Sequence, residues 1–528
     1  MKNSSLTIRG VLIGIVGLLF ITVSSLYVAL RLGALPWPTV FVTVLSMVLL
    51  KRAKGSTLQE VTTTHTLMSA GSMVAGGIAF TLPGLWMLDP NSSVSILSVI
   101  SASVCGALLG TAFTYLYRDV MLIKEKLPYP IGEAAYKTLI TIKDKKSGWY
   151  LFPSLSFSAL FTFLRDFWGK IPAVLPIIKG SAYTMPLTLY VSPMAFAIGS
   201  IIGTKLVLVW LIGMVLGYYI LTPIGISAGW FENLAVANNF RSDLGLGIMI
   251  GLGVAVVIKA VYDIIKGLVQ NRGNREKIHN FDSRHIAVLS ASIFSILVLA
   301  LLGKVGLWAS ILTVIGAAMA TYLSSMLTGQ TGINPMEVFA ILVVLLVKVL
   351  SSANIVSLFV IAVAVAVAAG LSGDVMNDFK SGSLVETPLK DQVIAELIGG
   401  VLGAIAATIA FFAIKNVYTL GSDFMPSPQA KAVAATLGGL NSPLAFWLGV
   451  GIGAILFFVK IPSSALGLGM YLGTNITTMV ALGCLVSFIV KKVWGERGEE
   501  KGTLISSGLL GGEGFAGVII SFLSFAKL

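Results

Sequence analysis

Charge is what this sequence has least of. Asp, Glu, Lys and Arg make up 11% of its 528 residues, while 56% are hydrophobic. A soluble domain carries roughly 25% charged residues. So few polar side chains cannot cover a globule of this size in water, which excludes an ordinary soluble enzyme. The same apolarity excludes disorder. Cysteine is scarce too. Cys105 and Cys484 both lie in apolar runs, so neither a disulfide framework nor a CxxC metal site is expected. The three histidines, His65, His279 and His285, show no HExxH-type spacing. There is no GxxxxGK(S/T) phosphate loop, no TVGYG-type filter and no catalytic triad. Nucleotide-driven pumping, a potassium-type channel and metal or cofactor chemistry therefore find no support. The aliphatic runs do not alternate with period two, which argues against an outer-membrane barrel.

What is there is a series of apolar runs, each near the roughly 20 residues that a membrane helix needs. The reading is an all-α polytopic membrane protein with about sixteen spans, some of them broken or re-entrant. The first run, Gly10 to Leu30, is longer than a signal-peptide core and reads as a retained helix. The net charge of +13 suits topogenic loops better than nucleic acid. Lys51, Arg52 and Lys54, then Arg118 to Lys146, then Arg272 to Arg284, then Lys491 to Lys501 cluster between runs. By the positive-inside bias these loops and the N-terminus are cytoplasmic. The 56 glycines include GxxxG spacings such as Gly199/Gly203, Gly247/Gly251, Gly399/Gly403 and Gly449/Gly453. Such faces allow close helix packing, and also allow a homodimer.

The longest polar stretch lies near the midpoint. It suggests two related halves, 1–270 and 286–528, joined by a cytoplasmic linker at 271–285. Leu127 to Gly132 and Ile461 to Gly467 echo one another weakly in their Pro and Gly placement. Polar groups within this apolar chain are functional candidates by default. Asp374 and Asp378, four residues apart, would share a helix face. With Lys380 they could bind a charged substrate or relay protons. Equally, the segment could be a solvated loop in which Thr387 caps a helix that Pro388 begins. Asn334 and Pro335 should break a helix just before Glu337, which is either a dipole partner or a substrate contact. Pro128, Tyr129 and Pro130 precede Glu133, and Glu513 sits alone in an apolar run. Glu133, Glu513 and Asp374 are the proton-coupling candidates. Lys259 and Asp263 have the spacing of an ion pair.

Several of these segments, in order, resemble the oligopeptide transporter family, which includes the yellow-stripe-like metal-chelate carriers. Asp378-Phe379-Lys380-Ser381-Gly382, followed by Thr387-Pro388 and Gln392, resembles its D-(L/F)-K-(T/S)-G…(S/T)-P…Q signature. Leu127-Pro128-Tyr129-Pro130-Ile131-Gly132 is similar to its L-P-(F/Y)-P-x-G segment, and Thr331 to Met336 to its T-G-I-N-P segment. Ser192-Pro193 to Gly203, and Gly508 to Gly517, resemble two more. Leu389 and Glu133 depart from the family pattern at polar positions. The resemblance implies a proton-coupled importer of the plasma membrane, working by alternating access on small peptides or peptide-like metal chelates. The candidate binding or gating groups are Asn334, Pro335, Glu337, Asp378, Lys380, Gln392, Pro128, Tyr129 and Pro130, with no catalytic residue and no cofactor. Its partners would be cargo, protons and the bilayer. An intramembrane enzyme using the paired aspartates, or a channel, is the alternative.

Overall fold

The computed structural model describes the chain except for residues 1–3, 34, 36–37, 52–55, 142–146, 182, 271–282, 333, 440–441 and 526–528. Most of the expected linker, and the side chain of Asp263, lie outside the described residues. The chain is overwhelmingly helical, as the apolar runs imply. Among the described residues nine helices are long and apolar enough to cross a membrane, fewer than the sixteen runs. Several runs form short helices instead, such as Pro193–Ile201, Pro443–Phe458 and Ser463–Tyr471. At about 1.5 Å rise per residue a nine-residue helix is far too short to span a bilayer alone.

The helices gather into two compact units that do not follow the sequence midpoint. Unit 1 takes Met1–Ala29, Trp37–Lys143 and Val256–Phe412, and unit 2 takes Leu30–Pro36, Asp144–Ala255 and Ala413–Leu528. Each unit thus draws a long segment from either side of the linker.

Unit 1 is built around the helix Ile355–Val385, whose Val/Ala-rich first half is buried on every side. A helix apolar all round belongs in a core. Ile96–Arg118, Leu58–Ala79, Leu307–Thr331 and Met336–Leu350 pack against it. The close approach needs small residues at the crossings. A Cβ on Gly106 would stand 2.5 Å from the Ala364 carbonyl oxygen, and one on Gly403 would stand 2.6 Å from Gly71 Cα.

In unit 2 the helix Pro193–Ile201 packs on the helical stretch that starts at Thr474. Each helix presents a glycine to the other's carbonyl: Gly199 to Val480 and Gly483 to Phe196. The pair Leu234–Gln270 and Pro443–Phe458 repeats the device, with Gly247 against Phe446 and Gly449 against Leu244. The apolar run expected from 187 is not one helix. Leu187–Tyr190 forms a strand antiparallel to Val174–Ile178, and the helix starts only at Pro193. Thr188, Tyr190 and Val191 favour extended chain, and the residue before a proline is pushed out of the helical region. The stretch Thr474–Phe525 is broken at Gly495, where φ is +61°. There the chain turns, and Lys491 Nζ meets Glu499 Oε2 at 2.8 Å.

Candidate functional site

The segment Gly370 to Val385 is helical, and buried from Gly370 to Phe379, not a solvated loop. Asp374 and Asp378 are 6% and 1% exposed. As their spacing required, they share a face. The helix ends at Glu386, whose left-handed φ of +61° reverses the chain before Pro388. The next helix, Leu389–Val417, runs back past the same face and brings Glu396 to the two aspartates. The carboxylate oxygens of Asp374, Asp378 and Glu396 lie within 4.8 Å of one another. Glu396 is fully buried, and neither of its oxygens has a hydrogen-bond partner among the described residues. Nor does Asp374 Oδ2. Helix Leu58–Ala79 adds His65, whose Nδ1 is 3.5 Å from Asp378 Oδ1, and Ser69, whose Oγ donates to Asp378 Oδ2 at 3.3 Å.

Three negative charges cannot share so small a buried space uncompensated. The cluster calls for positive charge, either as protons shared among the carboxyls or as a small cation held between them.

The other polar segments of unit 1 converge on the same helix. Asn334 bridges the break between Leu307–Thr331 and Met336–Leu350. Its Nδ2 donates to the carbonyls of Ala369 at 2.9 Å and Gly370 at 3.1 Å, one turn before Asp374. Pro335 stands at the start of the following helix, and Glu337 lies in its first turn with no ion pair among the described residues. Tyr129, held at φ +47°, donates its hydroxyl to the Ser325 carbonyl at 3.0 Å. Pro128 and Pro130 on either side are exposed. Gly132 N–H donates to Asn377 Oδ1 at 3.0 Å, and Glu133 Oε1 lies 3.6 Å from Lys380 Nζ. Gln392 Nε2 donates to the Asp378 carbonyl at 2.8 Å. Thr387 is not the helix cap expected of it. Its Oγ1 is buried without a hydrogen bond, and the helix begins at Leu389.

Glu513 belongs to unit 2 and to a different arrangement. Its carboxylate accepts from Arg165 Nη2 at 2.8 Å, from Ser192 Oγ at 2.9 Å and from Met194 N–H at 2.8 Å. Tyr190 OH lies 3.4 Å away. Arg165 also makes a two-point contact with Asp166 and donates to the Val191 carbonyl. The carboxylate is saturated with donors, and both Arg165 and Glu513 side chains are fully buried.

Sequence reasoning missed Glu396 and His65. Glu396 did leave a signal, a lone carboxylate four residues after Gln392 within an apolar run. His65, in a Thr-rich helix, left none.

Broken helices, a buried carboxylate cluster and many apolar spans define a polytopic helical membrane protein of the transporter type. The particular family follows from comparison with known proteins. The profile described as "OPT oligopeptide transporter protein" matches residues 5–524, and the chain belongs to that family. It is 25% identical over 596 aligned positions to a Haemophilus influenzae protein named "Putative oligopeptide transporter", covering 95% of this chain and 93% of that one. It is 24% identical over 183 positions to the metal-nicotianamine transporter YSL2 of Arabidopsis thaliana, covering 30% of this chain and 27% of that one. These relatives are transporters, which points away from an enzyme.

Proposed function

We propose that this chain is a proton-coupled importer of the plasma membrane that moves small oligopeptides or peptide-like metal chelates by alternating access. The two halves would be related repeats. Family membership and the names of the relatives support the transport role and the range of cargo. The observation that carries the coupling is the triad Asp374, Asp378 and Glu396. It is buried and short of partners, and two of its members lie on the D-F-K-S-G helix while the helix after it supplies Glu396. Taking up a proton relieves repulsion within the triad, and releasing it restores that repulsion, so occupancy can be linked to conformation. Glu513 suits this role less well. Its oxygens are already engaged by Arg165, Ser192 and Met194, and these donors stabilise the charged form, so a proton would have to displace them. Glu133 is half-exposed beside Lys380 and fits a gate at the mouth of the helix bundle better than a buried relay. Asn334, Pro335, Glu337 and Gln392 would hold the helix breaks that let the unit switch.

The test is uptake by proteoliposomes of labelled di- to pentapeptides and of a metal–nicotianamine chelate. An inward proton gradient should drive saturable accumulation that a protonophore abolishes. Uptake indifferent to the gradient would overturn the coupling, and ohmic current would replace the carrier with a channel.

A further inference from the structure

Two helices of unit 2 begin alike. Ser192-Pro193-Met194-Ala195-Phe196 opens one and Ser442-Pro443-Leu444-Ala445-Phe446 the other. In each, the serine side chain accepts from the backbone N–H three residues on. In each, a buried acid from elsewhere accepts from a backbone N–H at the helix start: Glu513 from Met194 at 2.8 Å, and Asp243 from Ser442 at 2.6 Å. A buried arginine stands nearby in both. In the first copy Arg165 is neutralised by Glu513 and Asp166.

In the second copy Arg241 is not neutralised. It is 5% exposed, its Nη1 donates to the Met470 carbonyl, and its guanidinium lies 3.7 Å over the Tyr218 ring. Its Nε has no hydrogen-bond partner, and no carboxylate among the described residues comes within ion-pair distance of it. A second cation feels its charge. Lys431 lies 5.2 Å from the centre of the Tyr471 ring and is likewise without an ion-paired carboxylate. Asp243 and Asp423 are the acidic groups in electrostatic range of Lys431. Asp243 is committed to the helix start, and Asp423 sits on the exposed chain between helices.

The backbone here is open. Residues 418–427 are non-helical, and the chain breaks again at 472–473, with Tyr471 OH donating to the Pro426 carbonyl at 3.0 Å between them. A buried guanidinium without an ion-paired carboxylate, beside a partly buried ammonium, costs free energy that a bound anion would offset. A guanidinium already fixed against a ring keeps its remaining N–H edge aligned for one.

We propose that Arg241 and Lys431, backed by Tyr218 and Tyr471, form a carboxylate-recognition site for the cargo. It would hold the C-terminal carboxylate of a peptide or a carboxylate of a metal chelator. The proposal deepens the transport reading and rests on it for the identity of the cargo, but not for the anion site itself.

The test is calorimetric binding to the purified full chain, using trialanine, trialanine amide, nickel–nicotianamine and succinate. Wild type should bind trialanine at least tenfold more tightly than its amide. Lys431→Met and Arg241→Gln should remove that discrimination and weaken succinate, while Arg241→Lys should restore part of it. Tight nickel–nicotianamine binding lost in the same variants would assign the site to chelates, and trialanine binding lost would assign it to peptides. Either supports it. A merely structural arginine predicts equal loss for acid and amide, and that result overturns the proposal. So does wild-type protein that binds none of the four. If Arg241→Gln does not give a monodisperse protein, the Lys431→Met comparison decides alone. Carboxylate binding without any uptake would sink the transport reading and leave the site standing.

Discussion

In the proposed proton-coupled mechanism, Glu396 is the residue on which the coupling would turn. Its neighbours have other contacts: Asp378 meets His65 and Ser69. Glu396 has only the two aspartates and the space between them. Glu396→Gln keeps the volume and removes both the charge and the proton. It relieves repulsion, so the protein should fold at least as well as wild type. Proton-driven accumulation should fall by about tenfold or more, while exchange of labelled for unlabelled cargo across the membrane continues. Exchange needs the conformational switch but no net proton cycle. If Glu396→Gln accumulates cargo like wild type, the triad is not the coupling site. Asp374, Asp378 and Asn334 were visible in the sequence because a polar residue inside an apolar run must have a reason to be there. Glu396 left a weaker signal because of its position. Lying one turn past Lys390, Asp391 and Gln392, it reads as the last polar residue of a helix start. Only the left-handed turn at Glu386 reveals which face it shares.

The elements were legible to different degrees. Long apolar runs gave the helices of unit 1, because length and hydrophobicity are local properties. Breaks were harder. Asn334-Pro335 announced itself, since proline cannot continue the ladder. The strand Leu187–Tyr190 did not, because its apolar residues also suit a helix and its partner strand supplies the deciding hydrogen bonds. The GxxxG spacings were right about close packing only in part. Gly199 meets a carbonyl, whereas its partner Gly203 meets nothing within 4 Å and marks the helix end instead. This yields a stability prediction. A Cβ on Gly199 would sit 1.8 Å from the Val480 carbonyl oxygen, and backbone cannot rotate away as a side chain can. Gly199→Val should destabilise unit 2 by about 1–3 kcal/mol or more, seen as a lower melting temperature in detergent. Gly451 lies in a helix with nothing within 4 Å of its would-be Cβ. Gly451→Ala should be neutral or stabilise by about 0.5–1 kcal/mol through helix propensity. Equal melting shifts for the two would mean that the crossing is looser than its geometry.

At the scale of the whole molecule, the few charges predict an orientation. The loop from Asp89 to Ser95 carries no Lys or Arg, while Lys491, Lys492, Arg497 and Lys501 crowd the turn at Gly495. The positive-inside bias predicts the first outside and the second in the cytoplasm. The sequence leaves the C-terminus undecided, since the final run could cross once or re-enter. The turn at Gly495 sharpens the question. The helix after it runs from 496 to 525, about 45 Å at 1.5 Å per residue, against a hydrocarbon core of roughly 30 Å. If that turn is cytoplasmic, a helix of that length is long enough to reach the far side. A single cysteine at Asn91 should therefore react with an impermeant maleimide on intact cells, and one at Lys492 only after permeabilisation. Cys105 and Cys484 are 0% and 7% exposed, so the background should be low. A C-terminal tag should be reached by antibody without permeabilisation. A tag seen only in opened cells would make the last helix re-entrant and shift the parity of the whole chain by one crossing.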